Sequence, residues 1–198
     1  MRKTFMVVIL TSVLTGAVMT AMSGHSRSLA AEPATAPTVD PNLEENAFKD
    51  PRSGVQLRLP KGWVRKQGIA DTGFQAPAKD RVQAGGLSPS IVLSKGAAPG
   101  VKPSDVDAMI ADKRKQYAQV FAGYKDEEPS SVLPHIPNKG VGRIDYSFVL
   151  ANVLPVRGAQ IWIVEKDQVY TITCTSLSEA YVNNAKVFNA VIDTIAVP

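Results

Sequence analysis

The chain has one cysteine, Cys174, and two histidines among its 198 residues. A single cysteine excludes an internal disulfide, so the fold must be held by an ordinary apolar core rather than by covalent staples. His25 lies in the N-terminal leader described below, which leaves His135 as the one histidine of the body of the protein. A two-histidine zinc site is thereby excluded within one chain, and Cys174 alone does not supply the missing ligands. No serine stands in a Gly-x-Ser-x-Gly elbow, and neither Gly-x-x-x-x-Gly-Lys-Ser/Thr nor Gly-x-Gly-x-x-Gly occurs. The usual nucleophile turn and the usual phosphate-cradling loops are therefore missing. A hydrolase would have to be organised around His135, in a loop flanked by Pro134 and Pro137. Asp126-Glu127-Glu128 lacks the spacing of a calcium loop and reads as a solvated charge run. Catalytic residues, metal ligands and a cofactor are thus not expected, and the chain reads as a non-enzymatic binding protein. A small-molecule carrier with a pocket between sheet and helix is the main alternative.

What is present begins with a leader. Arg2 and Lys3 precede an uncharged, mainly apolar run from Phe5 to Met22, and Ser28-Leu29-Ala30 offers small residues before a cleavage point. This is the layout of a secretory signal peptide over residues 1–30. The run approaches the ~20 residues that span a bilayer, so an uncleaved inner-membrane anchor is the alternative. Thr4, Thr11, Ser12, Thr15 and Gly16 dilute the run and favour cleavage. No cysteine follows it, which excludes a lipoprotein anchor, and twin arginines are absent. The expected location is the periplasm or the exterior of the cell.

The net charge of +4 falls to +1 once Arg2, Lys3 and Arg27 leave with the leader. A basic balance is then a poor argument for nucleic acid, and the few aromatics near the basic residues agree. Distribution says more than the sum. Residues 52–102 hold nine basic and two acidic residues. Lys61, Arg65, Lys66, Lys79, Arg81 and Lys95 are the candidate surface for an acidic partner: a protein, a membrane-associated complex or an anionic membrane surface.

Residues 31–46 are rich in proline and poor in large apolar side chains, and read as a flexible linker. The domain is expected over residues 47–198. Phe48-Lys49 reads as a short strand, and Val55, Leu57 and Leu59 alternate with polar residues in a second. A loop-rich stretch follows Trp63, with strands expected near Gly73-Phe74-Gln75, at Ser90–Ser94 and at Ser131–Leu133. Residues 103–122 read as a helix, opened by Pro103 and a Ser104/Asp107 capping box. Its inward face carries Val106, Met109, Ile110, Tyr117, Val120 and Phe121, while Lys113-Arg114-Lys115 faces water. Ile144, Tyr146, Phe148 and Leu150 alternate with Arg143, Asp145 and Ser147. Ala159–Glu165 and Gln168–Thr175 are two more strands around a turn at Lys166-Asp167, giving an antiparallel meander. Cys174 shares the parity of Tyr170 and Ile172 and reads as a small buried hydrophobe. Ile161 and Ile163 alternate with Trp162, so both faces of that strand look buried. A helix over residues 179–194, capped by Ser178 or by Ser176 with Glu179, places Tyr181, Ala185, Phe188, Ile192 and Ile195 on one face. The expectation is an α+β fold: an α/β/α sandwich with a mainly antiparallel sheet and two amphipathic helices.

One segment carries more than its own local structure. A short strand runs into Leu59-Pro60-Lys61-Gly62-Trp63, where Pro60 and Gly62 shape a turn and Trp63 returns to the core. With Phe48-Lys49-Asp50 and Gly54–Leu59 before it, this resembles the opening of the PsbP-like and DcrB-like domains, and the order of later elements agrees through residue 198. The resemblance implies an α/β/α sandwich and a role in binding or assembly rather than catalysis. It transfers no functional residue, because the matching positions shape the turn.

Overall fold

The computed structural model of the chain describes residues 40–67, 71–77, 87–131, 133–134 and 136–198. The leader, most of the linker, Lys79, Arg81 and His135 lie outside the described residues.

In chain order the strands are β1 (Phe48–Lys49), β2 (Gln56–Leu57), β3 (Val64–Gln67), β4 (Thr72–Gln75) and β5 (Ser90–Ala97). After helix α1 (Val106–Val120) come β6 (Lys125–Glu127), β7 (Gly140–Leu150), β8 (Leu154–Glu165) and β9 (Gln168–Leu177), then helix α2 (Ser178–Ile192). β1 and β2 pair with each other. The remaining seven form one antiparallel sheet in the order β3-β4-β5-β9-β8-β7-β6. The meander expected from the alternating segments is β7-β8-β9.

The pleat of β8 sorts the core into two layers. Ile161 and Ile163 point to one face, where Tyr170, Ile172, Cys174, Ile91, Leu93 and Phe74 meet Tyr181, Phe188, Val191 and Ile192 of α2. Leu43, Val55 and Leu57 complete that layer. Leu43 is only 2% exposed, so packing begins within the stretch whose composition reads as linker. Trp162 and Val164 point to the other face, where Ile144, Tyr146 and Val169 meet Val106 and Ile110 of α1. A sheet covered by one helix on each face is the α/β/α sandwich the periodicity implies.

The Pro60–Trp63 turn forms as expected. The Trp63 N–H donates to Pro60 O at 3.2 Å, and Gly62 has φ +77°. That is the positive φ a type II turn demands at its third position. Trp63 sits edge-on to Phe188 at 6.2 Å between ring centroids. It is half-buried at the border of the core rather than enclosed by it.

Several local expectations are corrected. The stretch after Trp63 is a strand, β3, because pairing with β4 supplies what its polar sequence lacks. Ser131 and Leu133 are not in a strand. The edge place beside β7 is taken by β6, inside the acidic run. The cap before α1 is formed by Lys102 and Asp105, with the Lys102 N–H donating to Asp105 Oδ2 at 2.9 Å, not by Ser104 and Asp107. Val120 is 72% exposed, because α1 ends as the chain departs toward β6. Lys113 is half-buried, its ammonium 5.5 Å from the centre of the Trp162 ring, and burial lowers its pKa. α2 starts after Leu177 without a side-chain cap.

Asp50 ties the first hairpin to the sheet. The Ser53 N–H and the Thr72 hydroxyl donate to its carboxylate at 2.8 and 2.7 Å, and the Ser53 hydroxyl joins them. Burial works against the charge, but these hydrogen bonds together outweigh it and hold the pKa below its usual value. A depressed folded pKa contributes stability above the unfolded carboxylate range and loses it as pH falls through the folded value. Asp50→Asn should therefore cost about 1–3 kcal/mol at pH 7, with the gap closing as pH falls below the ordinary aspartate range. A gap constant from neutral to acid pH in denaturant titrations would refute the assignment.

Candidate functional site

The strongest polar cluster lies under α2, on the strand face that alternation alone assigns to solvent. Register places Arg143 opposite Ile161 and Asp145 opposite Ala159, so both side chains enter the α2 layer. Arg143 is 6% exposed and Asp145 2%. The guanidinium donates to both carboxylate oxygens, with Nη2 to Oδ1 at 2.9 Å. Its remaining donors reach the hydroxyls of Ser130 and Ser131 and Oδ1 of Asn189 on α2. Every nitrogen of the guanidinium has a partner, and the Tyr181 hydroxyl lies 3.5 Å from Asp145 Oδ1. A buried pair whose three guanidinium nitrogens are all engaged in this way is spent on holding the fold. It fastens the segment around Ser130 to β7 and α2.

Beside it Arg157 pairs with Glu127 at 3.2 Å and covers the Tyr181 ring at 4.9 Å. Burial raises the Tyr181 phenol to about 12, with the Asp145 charge adding to the effect. Cys174 lies in the same layer, fully buried, and burial pushes its thiol up to about 12. It has no thiolate character at neutral pH and is a packing residue.

On the opposite face α1 packs over β7 and β8. The Tyr117 hydroxyl donates to Gln160 Oε1 at 2.6 Å, Trp162 Nε1 donates to the same oxygen at 3.0 Å, and Gln160 Nε2 donates to Thr173 at 2.8 Å. This network closes the margin of α1. Beyond it Val92, Ser94, Thr171 and Thr173 line a half-exposed area of sheet.

The basic residues named from the sequence do not share one plane. Arg65 and Lys66 are neighbours on the edge strand β3 and so project to opposite faces. Arg65 lies opposite Phe74 and over the ring of Phe48 at 5.1 Å, on the α2 side. Lys66 lies opposite Gly73, on the α1 side. Lys61 stands in the turn just before β3. Lys95 is elsewhere: it sits on β5, beyond the level of Lys66, with its ammonium 5.1 Å from the Tyr170 ring centre. Pro60, Gly62 and Trp63 shape the turn that leads into β3.

Two open clefts accompany these features. One of about 510 Å3 is lined by Glu44, Glu45, Phe48, Leu59 and Lys61. Another of about 420 Å3 lies where Val153, Leu154 and Pro155 meet Leu177, Ser178 and Glu179 at the start of α2. Among the described residues no group of histidine, cysteine and carboxylate side chains is arranged to hold a metal ion. Nor is any described helix long and apolar enough to cross a membrane.

No protein-family model matches the chain, and no curated protein matches its sequence. Solved structures do match its fold. PA94 of Pseudomonas aeruginosa, a protein of unknown function, is 18% identical with a TM-score of 0.54, covering 77% of this chain and 96% of its own. Cyanobacterial PsbP (CyanoP) of Synechocystis sp. PCC 6803 is 11% identical with a TM-score of 0.52, covering 83% and 98%. LpqN of Mycobacterium tuberculosis, involved in cell envelope biogenesis, is 15% identical with a TM-score of 0.51, covering 79% and 92%. The chain shares its fold with these structures, PsbP among them. At these identities the likeness defines the architecture and leaves function to the residues of this chain.

Proposed function

We propose that this is an exported, non-enzymatic envelope protein that binds a protein partner or steadies a membrane-associated complex through the basic rim of its sheet. One observation carries the reading. Lys61, Arg65 and Lys66 are exposed, and among the described residues none is ion-paired with a carboxylate. Other cations of the chain do have carboxylate partners, as in Arg114–Asp126 and Arg157–Glu127. Cations left without carboxylate partners beside a sheet edge suit an acidic partner. Lys79 and Arg81 belong to the same basic stretch of sequence and are included in the proposal. The leader and the envelope role described for LpqN support the setting.

Reversing Lys61, Arg65, Lys66, Lys79 and Arg81 to glutamate should remove the salt-sensitive partners recovered by crosslinking and mass spectrometry in envelope extract. Enrichment should drop by at least about tenfold. Reversal of Lys95, which lies apart, should change little. A partner set that survives the five-fold reversal would exclude the basic rim as the binding surface.

A further inference from the structure

We infer that the β3 edge accepts an extended acidic segment of a partner protein as an additional strand of the sheet. The inference rests on the reading of the basic rim as the partner-binding surface and specifies how that surface is used. Among the described residues β3 ends the strand order, with β4 as its one neighbour. No described residue pairs with the N–H and C=O groups along its other side, which offer a template for strand addition.

The side chains on that edge state what the incoming strand must carry. Val64 is 53% exposed, and Arg65 and Lys66 are exposed beside it. Residues directly opposite across a strand pair interact most strongly. A strand laid on β3 thus meets a cation on each face of the sheet, Arg65 on one and Lys66 on the other, and an apolar side chain at Val64. Complementarity asks for two consecutive carboxylates, one per face, followed by an apolar residue when the strand runs antiparallel.

The charges also dispose of the competing occupant. Pairing β3 with β3 of a second copy sets Arg65 and Lys66 against like charges. Pairing it with the other edge of a second copy meets β6, whose Asp126 and Glu127 are already engaged by Arg114 and Arg157. Charged edge residues guard against self-association. Here the same residues admit a strand of opposite sign and reject a copy of this chain.

The test uses the full chain and a labelled synthetic peptide with a central Glu-Glu-Val run flanked by threonines. Saturable binding is expected, at least about tenfold tighter than for the Lys-Lys-Val counterpart. Amides of β3 should become slower to exchange when the peptide is bound. Arg65→Glu/Lys66→Glu should reverse the preference, so that the lysine peptide binds better, which also shows that the variant is folded. Equal binding of a proline-interrupted peptide of the same charge would overturn the inference, since such a peptide cannot form a strand. So would binding without protection of the β3 amides. Loss of envelope partners on charge reversal with no peptide binding would refute strand addition while leaving the basic-rim reading intact. No response in either experiment would remove both.

Discussion

Arg143→Met should lower the stability of the fold by about 3–5 kcal/mol. That corresponds to a fall in melting temperature of roughly 6–20 °C for a domain of this size. The side chains of Arg143 and Asp145 are 2% and 1% exposed. Removing the guanidinium leaves the Asp145 carboxylate buried with a lone hydroxyl, that of Tyr181, at 3.5 Å. Ser130, Ser131 and Asn189 lose their shared partner at the same stroke. The double variant Arg143→Met/Asp145→Leu removes both charges and should recover most of the loss, because a buried pair is worth little relative to apolar residues of similar size. Thermal melts of the two variants decide the matter. An unchanged midpoint for the single variant would mean that the pair is not buried as described.

Gly140→Ala should cost about 3 kcal/mol and disturb the seating of α1. A Cβ built at Gly140 falls 2.1 Å from the carbonyl oxygen of Pro103 and 2.8 Å from its carbon. Backbone cannot rotate away, so either the start of β7 or the turn before α1 must move. Trp162, packed with Val106 and Ile110 in the α1 layer, should report the movement as a change in fluorescence. Gly142→Ala is the internal comparison. Its Cβ meets side chains rather than backbone, Ile110 Cγ1 at 2.7 Å and Val106 Cγ2 at 2.9 Å, so its overlap is the smaller although both neighbours are stiff. The Gly140 variant should be the less stable of the two, and the opposite order would contradict the packing of α1 against β7.

The layered architecture was legible because β8 and β9 carry unbroken signals. Ile161, Trp162 and Ile163 are buried in succession only if helices cover both faces, and α1 and α2 have the apolar stripes to do it. The turn at Pro60–Trp63 was legible because proline and glycine fix backbone angles locally. Arg143 and Asp145 were not, since alternation marks a polar parity and cannot tell solvent from a buried ion pair. What distinguishes them is Asn189 and Ser130, remote in sequence and joined only by folding. β3 and β6 escaped for a related reason. Edge strands are specified by the neighbour they pair with, and Val-Arg-Lys-Gln and Lys-Asp-Glu carry almost no apolar period. The candidate basic residues were named from sequence as one group, and the pleat of β3 divides them in a way composition does not record.

The arrangement of β7, β8 and β9 has a consequence for the order in which the chain acquires structure. Leu150 pairs with Leu154 and Glu165 with Gln168, so two short reversals join the three longest antiparallel partners of the sheet. Ala151, Asn152 and Asp167 take the left-handed backbone angles that let the chain reverse so quickly. Closing such small loops costs little entropy, whereas pairing β5 with β9 must first bring together distant parts of the chain. The meander should therefore acquire exchange protection first in a pulse-labelled refolding experiment, and β3, attached through β4 and β5, last. Early protection of β3 would reverse this order. A late-forming edge is also the part of the sheet that opens at least cost, which leaves its backbone within reach of another chain long after the centre has closed.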